Sequence, residues 1–331
     1  MKTTVNGAQP DVATSSCWRA LKLLAERIRD DSGPVTSCSL LIGEDPHVCV
    51  GPESLAAGDG WPVTVIVDPA TQDHLPALVP GETRYLLDEL IVMRRLADGG
   101  LPAAASALIE LYVPYCLASL HARRMKRAFT VSHFAQSLDG RIATRAGDAR
   151  WIGCEENRVH AHRMRALCDG ILIGAHTLRT DRPALTVRHA EGSDPIRIVL
   201  GGAGDIGCLE RAGSSAIVLI GDDLGPSSAQ VEHVVLPRTN GRIATTAILE
   251  ELYRNDILSV YIEGGATTTS TFLSEGNIDV LQLHISPMII GPGINSFAGP
   301  SIQSIQDSVR FDPHVYRSVG DGMMFVGRVA S

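Results

Sequence analysis

Residues 258–269, LSVYIEGGATTT, run from a short apolar strand through two glycines into a threonine-rich helix start. Glycines let the backbone approach a ligand closely, and the open N–H groups of a helix start attract phosphate. Glu263 stands at the strand end, where a carboxylate can hydrogen-bond ligand hydroxyls or take part in proton transfer. The stretch is not G-x-G-x-x-G, so a standard Rossmann fingerprint is absent. An ordinary strand-to-helix turn is the plain alternative.

Working outward, strands and helices alternate from residue 129 onward. FTVSHFA (129–135) predicts a strand, SLDGR (137–141) a turn, and EENRVHAHRMRAL (155–167) a helix with acids first and arginines last, matching its dipole. Strands are predicted at 169–174, 195–201, 215–221, 233–237, 258–265, 280–286 and 323–329, with helices at 243–255 and up to about 275. Asp321-Gly322 is a hairpin-type turn before the last strand. The pattern predicts a mainly parallel α/β sheet with helices on both faces and an antiparallel C-terminal edge. Ahead of it lie a helix at 17–30, β-like runs at 37–43, 47–51 and 62–68, and helical stretches at 82–97 and 102–121. The basic HARRMKR (121–127) reads as a linker or a solvated helix end. The boundary is placed near 125, giving a smaller N-terminal α/β region (1–125) with no assignable function and a C-terminal domain (126–331).

A length of 331 residues suits two domains, and aromatics at 5% require an aliphatic core. A net charge of −8 excludes a general nucleic-acid or anionic-membrane binder. No apolar run approaches ~18 residues, so no membrane span is expected. Seven cysteines without C-x-x-C, behind a polar N-terminus with no signal-peptide core, imply free thiols and a cytoplasmic protein. Ten arginines and no lysine fall between Arg141 and Arg197, which suits phosphate contacts or simply a GC-rich genome. His189-Ala-Glu191 imitates the H-x-E of zinc deaminases, but the P-C-x-x-C that completes that shell is missing. His160 and His162, two apart on a helix, face different ways. No metal is expected.

Two further segments carry candidate chemistry. In HTLRTDRPALTVR (176–188), Thr177 can cap a helix or touch a cofactor, and Asp181 and Arg188 supply an acceptor and a donor fork; a solvated surface loop is the alternative. In HFAQSLDGRIA (133–143), a strand meets a turn, and Trp151 beyond it can line a pocket or pack in a core.

Taken in order, S-L-D-G-R (137–141), W-I (151–152), H-R-M-R (162–165), T-L-x-x-D-x-P-x-L-T-x-R (177–188), P-I-R (195–197) and E-G-G (263–265) resemble the reductase domain of riboflavin biosynthesis over roughly 129–329. The resemblance implies a dihydrofolate-reductase-like fold, commonly dimeric. It implies NADPH-dependent reduction of the ribose of a ribosylamino-pyrimidine 5′-phosphate to a ribityl chain. Carried over by motif, Arg165, Leu185, Arg188 and His133 are substrate positions, with Arg165 the foremost phosphate partner. Asp181 lies at the junction of substrate and cofactor, and Glu263 contacts substrate. Ala135, Trp151, Thr177, Gly202 and the loop from Gly265 through Ala266, Thr267 and Thr268 to Thr271 are cofactor positions. Bacterial members usually carry lysine where this chain has His133 and threonine where it has Gly153. Those departures leave open the uracil or the diaminopyrimidinone form of the substrate, or another heterocycle such as a pterin. A retired reductase that only binds NADPH is the non-enzyme alternative. The first 125 residues do not match the deaminase half that accompanies this reductase in many bacteria.

Overall fold

The computed structural model describes residues 12–31, 33–51, 60–67, 80–88, 91–201, 207–212, 216–221, 231–239, 241–299 and 302–330. The chain divides into two compact units, Met1–Leu120 and His121–Ser331. The division falls just ahead of HARRMKR rather than at 125. That stretch is no free linker: it completes a helix, and Arg127 then forms a two-pronged ion pair with Asp279 (2.7 and 2.9 Å).

In the first unit, helix α1 (Val12–Asp30) packs on α2 (Ala103–Cys116) through Trp18 and Tyr112, whose rings meet edge to face at 5.5 Å. Strands β1 (Ser37–Ile42), β2 (His47–Val50), β3 (Trp61–Ile66), β4 (Thr83–Asp88) and β5 (Val92–Ala97) form one sheet in the order β2-β1-β3-β4-β5, with only β3 and β4 parallel among the described pairs. The helix expected over 82–97 is therefore two strands. Tyr85, Leu86 and Leu87 are buried in succession, as in a strand covered on both faces, and a short apolar run of that kind fits either period. The apolar-run count made on the sequence also needs correction. The helical stretch Ala103–Met125, which continues α2 through α3 (Ala118–Met125), has a mean hydropathy of 1.4 over an 18-residue window and is long and apolar enough to cross a bilayer. That window is 67% buried, which is the behaviour of a core helix.

The second unit is built on a nine-stranded sheet. Its strands are β6 (Phe129–Ser137), β8 (Gly170–Gly174), β9 (Ile196–Leu200), β10 (Ile217–Gly221), β11 (Val231–Val235), β12 (Ser259–Ile262), β13 (Val280–Ser286), β15 (Phe311–Val319) and β16 (Gly322–Val329), with β7 (Arg141–Thr144) and β14 (Gly293–Asn295) paired separately. The order is β11-β10-β9-β8-β12-β6-β13-β16-β15. Every pair from β11 to β13 is parallel, and β16 and β15 close the sheet antiparallel, as the sequence predicts. The parallel strands are joined by crossovers containing α4 (Glu155–Leu167), α5 (Ala175–Asp181), α6 (Gly207–Ala212), α7 (Thr245–Arg254) and α8 (Ala266–Ser274). The core is aliphatic: Leu172, Ile198, Ile220, Val260 and Ile262 from the strands meet Ile248, Leu249 and Leu252 of α7. Full burial of such side chains contributes roughly 1.5–3 kcal/mol each. The parallel arrangement brings the carboxyl ends of β6, β8, β12 and β13 to one edge.

Candidate active site

Glu263 follows the last residue of β12 and is fixed on both sides. Its backbone N–H donates to the Leu172 carbonyl (3.1 Å), and its carboxylate accepts two bonds from Arg165, from Nε to Oε1 (2.8 Å) and from Nη2 to Oε2 (2.6 Å). The side chains are 12% and 19% exposed, so water screens the pair weakly. Past Glu263, Gly264 is a steric requirement, as is Gly174 on the neighbouring strand. A Cβ on Gly264 would fall 2.5 Å from Thr268 Cβ, and one on Gly174, at the end of β8, would fall 2.7 Å from Thr268 Oγ1. Thr268 thus fills the space of two absent side chains, and the start of α8 comes down onto the strand ends. Gly265 caps α8 with no side-chain hydrogen bond, so the helix start keeps backbone donors for a ligand. Thr177 Oγ1 lies 3.5 Å from where a Gly265 Cβ would be, which places α5 beside the same turn.

The 176–188 segment is a helix and then an ordered loop. Asp181 ends α5, its side chain exposed and without a hydrogen bond or ion pair among the described residues. Arg182 (φ 44°) and Leu185 (φ 56°) take left-handed backbone, unusual for such side chains. This buries Leu185 and turns Thr186 toward the arginines: Arg165 Nη1 donates to the Thr186 carbonyl (2.9 Å) and Arg188 Nη1 to its hydroxyl (2.6 Å). The Arg188 N–H donates to His162 Nδ1 (2.9 Å), and burial followed by the nearby Arg165 guanidinium lowers His162 to about 4. Arg165, Glu263, Thr186, Arg188 and His162 therefore form one connected cluster. Arg165 has Nε, Nη1 and Nη2 engaged within it, and Arg188 offers the more exposed guanidinium.

A cleft of about 310 Å³ opens next to the α8 start, lined among others by Gly174, Gly201, Arg238, Arg242, Thr267 and Thr268. Arg238 and Arg242 had no role in the sequence reading; they come from a segment with no motif. Gly202 lies outside the described residues. Asp181, Arg188 and Glu263 do not line this cleft.

Beneath α4 runs a column of buried polar groups. His133 Nε2 bonds Asn157 Oδ1 (3.0 Å) and stacks on Tyr261 (5.8 Å), and His160 Nε2 bonds Gln282 Oε1 (2.9 Å). Burial, the largest cause in each case, lowers His133 to about 4 and His160 to about 3. His133 is thus a neutral, buried ring at the position where the family resemblance implies a substrate contact. Its exchange is tied to the other departure: a Cβ on Gly153 would fall 2.7 Å from Asn157 Nδ2 and 3.4 Å from Ala135 Cβ. Asn157 occupies the room a threonine would need. Gly153→Thr is expected to cost about 1–3 kcal/mol of overpacking, with Asn157→Ala restoring part of it; urea midpoints of the two single variants and the double variant measure this, and independent effects would contradict the linkage.

The same histidines predict acid sensitivity. An unfolded imidazole titrates near pH 6.5 and these buried ones near 4 and 3, so between those values the unfolded chain holds the extra protons. Stability present above about pH 6.5 should fall as pH drops, by roughly 2 kcal/mol per ring at about pH 5. Denaturant midpoints at pH 7 and pH 5 test this; equal midpoints would contradict it.

Trp151 is 73% exposed, with the Arg158 guanidinium 4.9 Å over its ring, so it is not core. S-L-D-G-R is a brace: Asp139 accepts from Ser137 Oγ and from the Ile290 and Gly291 N–H groups, and these bonds, that of Ser137 first, lower it to about 2. Arg197 of P-I-R is buried and donates to the Leu209 carbonyl, a structural task.

Residues 128–325 match the model of the RibD C-terminal domain. The chain belongs to that family. A riboflavin biosynthesis protein RibD from Bacillus amyloliquefaciens is 31% identical over 255 residues, covering 72% of this chain and 64% of that protein. The chain thus spans under two thirds of the length of such RibD relatives. A 2,5-diamino-6-ribosylamino-4(3H)-pyrimidinone 5′-phosphate reductase from Methanothermobacter thermautotrophicus is 29% identical over 217 residues, covering 60% of this chain and 96% of that one. The crystal structure of a Thermotoga maritima diaminohydroxyphosphoribosylaminopyrimidine deaminase/5-amino-6-(5-phosphoribosylamino)uracil reductase superposes with a TM-score of 0.60 at 20% identity, over 96% of this chain and 99% of that one. This likeness is one of fold, and at that coverage it takes in the N-terminal unit. That unit nonetheless has neither H-x-E nor P-C-x-x-C: its two histidines, His47 and His74, are followed two residues on by Cys49 and Pro76.

Proposed function

We propose that the second unit is an NADPH-dependent reductase that converts the ribose of a ribosylamino-pyrimidine 5′-phosphate to a ribityl chain in riboflavin synthesis. The carrying observation is the segment Glu263–Thr268, which has an arginine-held carboxylate at one end and an open helix start at the other. The Methanothermobacter relative, nearly all of whose length is matched, supports the reading, because it is a reductase of the diaminopyrimidinone form of this substrate.

NADPH, when bound, supplies the hydride that forms the new C1′–H bond; the C1′–O4′ bond breaks and O4′ takes a proton from water. The chain places and holds the reactants. The α8 donors and Thr177 suit the cofactor's phosphates and amide. Arg188 suits the substrate phosphate, and binding there orients the sugar for transfer. Glu263, with both oxygens already accepting from Arg165, offers its remaining lone pairs to sugar hydroxyls. Asp181, free of partners among the described residues, is the carboxylate left for a proton or hydroxyl at the junction. Arg238 and Arg242 give the cleft beside α8 two cations suited to a ribose 2′-phosphate. A homodimer in the cytoplasm fits the family's habit.

The test is NADPH absorbance with the uracil and diaminopyrimidinone ribosylamino phosphates and with dihydrofolate as a pterin control. Oxidation with neither ribosylamino phosphate removes the proposal. Arg242→Ala is expected to raise KM for NADPH about tenfold, one charge-assisted contact, and to leave KM for NADH unchanged; equal changes would move the 2′-phosphate elsewhere.

A further inference from the structure

We propose that Cys154, His284 and Asp321 form a binding site for one zinc-type divalent cation, outside the Arg165–Glu263–Arg188 cluster. The three residues come from the cap of α4, the carboxyl half of β13, and the turn between β15 and β16. One ligand atom from each lies within 4.8 Å of the other two. His284 is completely buried, yet neither ring nitrogen has a hydrogen-bond partner among the described residues. An imidazole buried with both nitrogens unsatisfied is costly, and a cation bound to one of them removes part of that cost.

The backbone around the cluster is shaped to it. A Cβ on Gly322 would fall 2.9 Å from His284 Nε2, and one on Gly320 would fall 2.6 Å from Cys154 Sγ and 2.4 Å from Glu156 Oε2. Glycines on both sides of Asp321 thus let the turn close over the histidine and the thiol, and Glu156 faces the same gap, where its carboxylate can supply a fourth ligand. Sulfur, nitrogen and carboxylate oxygen together suit Zn²⁺ better than Mg²⁺ or Ca²⁺. Bonds of about 2.0–2.3 Å in a tetrahedron place ligand atoms roughly 3.5 Å apart, so the cluster needs only a small contraction. In the metal-free chain the Cys154 thiol donates to the Val319 carbonyl (3.4 Å) and accepts from the Asn157 N–H (3.4 Å). Binding releases the thiol proton to solvent and gives up the first of these bonds; the second is kept. The ion would pin the hairpin to the start of α4, the helix that carries Arg165. No sequence motif announces the site, because its ligands are 130 and 37 positions apart.

The experiment uses the full chain without a histidine tag, stripped with EDTA, desalted and titrated with Co²⁺ and then Zn²⁺. One Co²⁺ per chain with a thiolate-to-cobalt absorption band, displaced by Zn²⁺, is expected. Cys154→Ser keeps a good helix cap and should abolish the band; Asp321→Asn, in an exposed turn that tolerates asparagine, should weaken Zn²⁺ binding about tenfold or more. Wild-type protein without the band, or variants that bind as tightly as wild type, would overturn the site. Asp321→Asn keeps the test decisive if Cys154→Ser lowers stability.

Discussion

Glu263→Ala is expected to cost about 3 kcal/mol of folding stability and to remove nearly all reductase activity. The substitution leaves the Arg165 guanidinium largely out of water, with the Thr186 carbonyl its one remaining acceptor among the described residues. Removing one partner of a buried pair is expensive, commonly about 3–5 kcal/mol, because the other charge stays behind. Deleting both partners should cost less than the sum of the single deletions. Urea titrations of Glu263→Ala, Arg165→Met and the double variant measure this, and strict additivity would show that the pair is not coupled. Glu263→Gln keeps the shape, and so separates loss of the charge from loss of packing.

Arg188→Ala should leave the fold nearly intact and raise KM for the phosphorylated substrate about tenfold to a hundredfold. Its side chain is exposed and, among the described residues, makes one hydrogen bond, to the Thr186 hydroxyl, so little stability depends on it. The proposed phosphate contact is charge-assisted, worth about 1.5–3 kcal/mol. The loss should be smaller for a dephosphorylated substrate. An unchanged KM would return the phosphate to another arginine, Arg165 first.

Much of the second unit is legible in sequence because its elements follow simple periods. The helix predicted at 155–167 is α4 residue for residue, and E-G-G does join a strand to a helix start. The strand β15 is not legible: Pro313 argues against a strand, and only the edge position tolerates it. What escapes in the site is pairing over distance. Arg165 and Glu263 are 98 positions apart, and nothing in either motif says that each satisfies the other. Asn157 is silent for the same reason, since its importance comes from the two side chains it touches. Asp139 is the opposite case, a residue legible in sequence as part of a turn, and it braces that turn.

The contact of Asn157 with both His133 and Gly153 bears on how this protein can be redesigned. A library that varies position 133 or 153 alone, in search of a new substrate, would be filled with clones whose interiors no longer fit. Altering all three codons together widens the accessible repertoire, because the volume that one side chain vacates is the volume another needs.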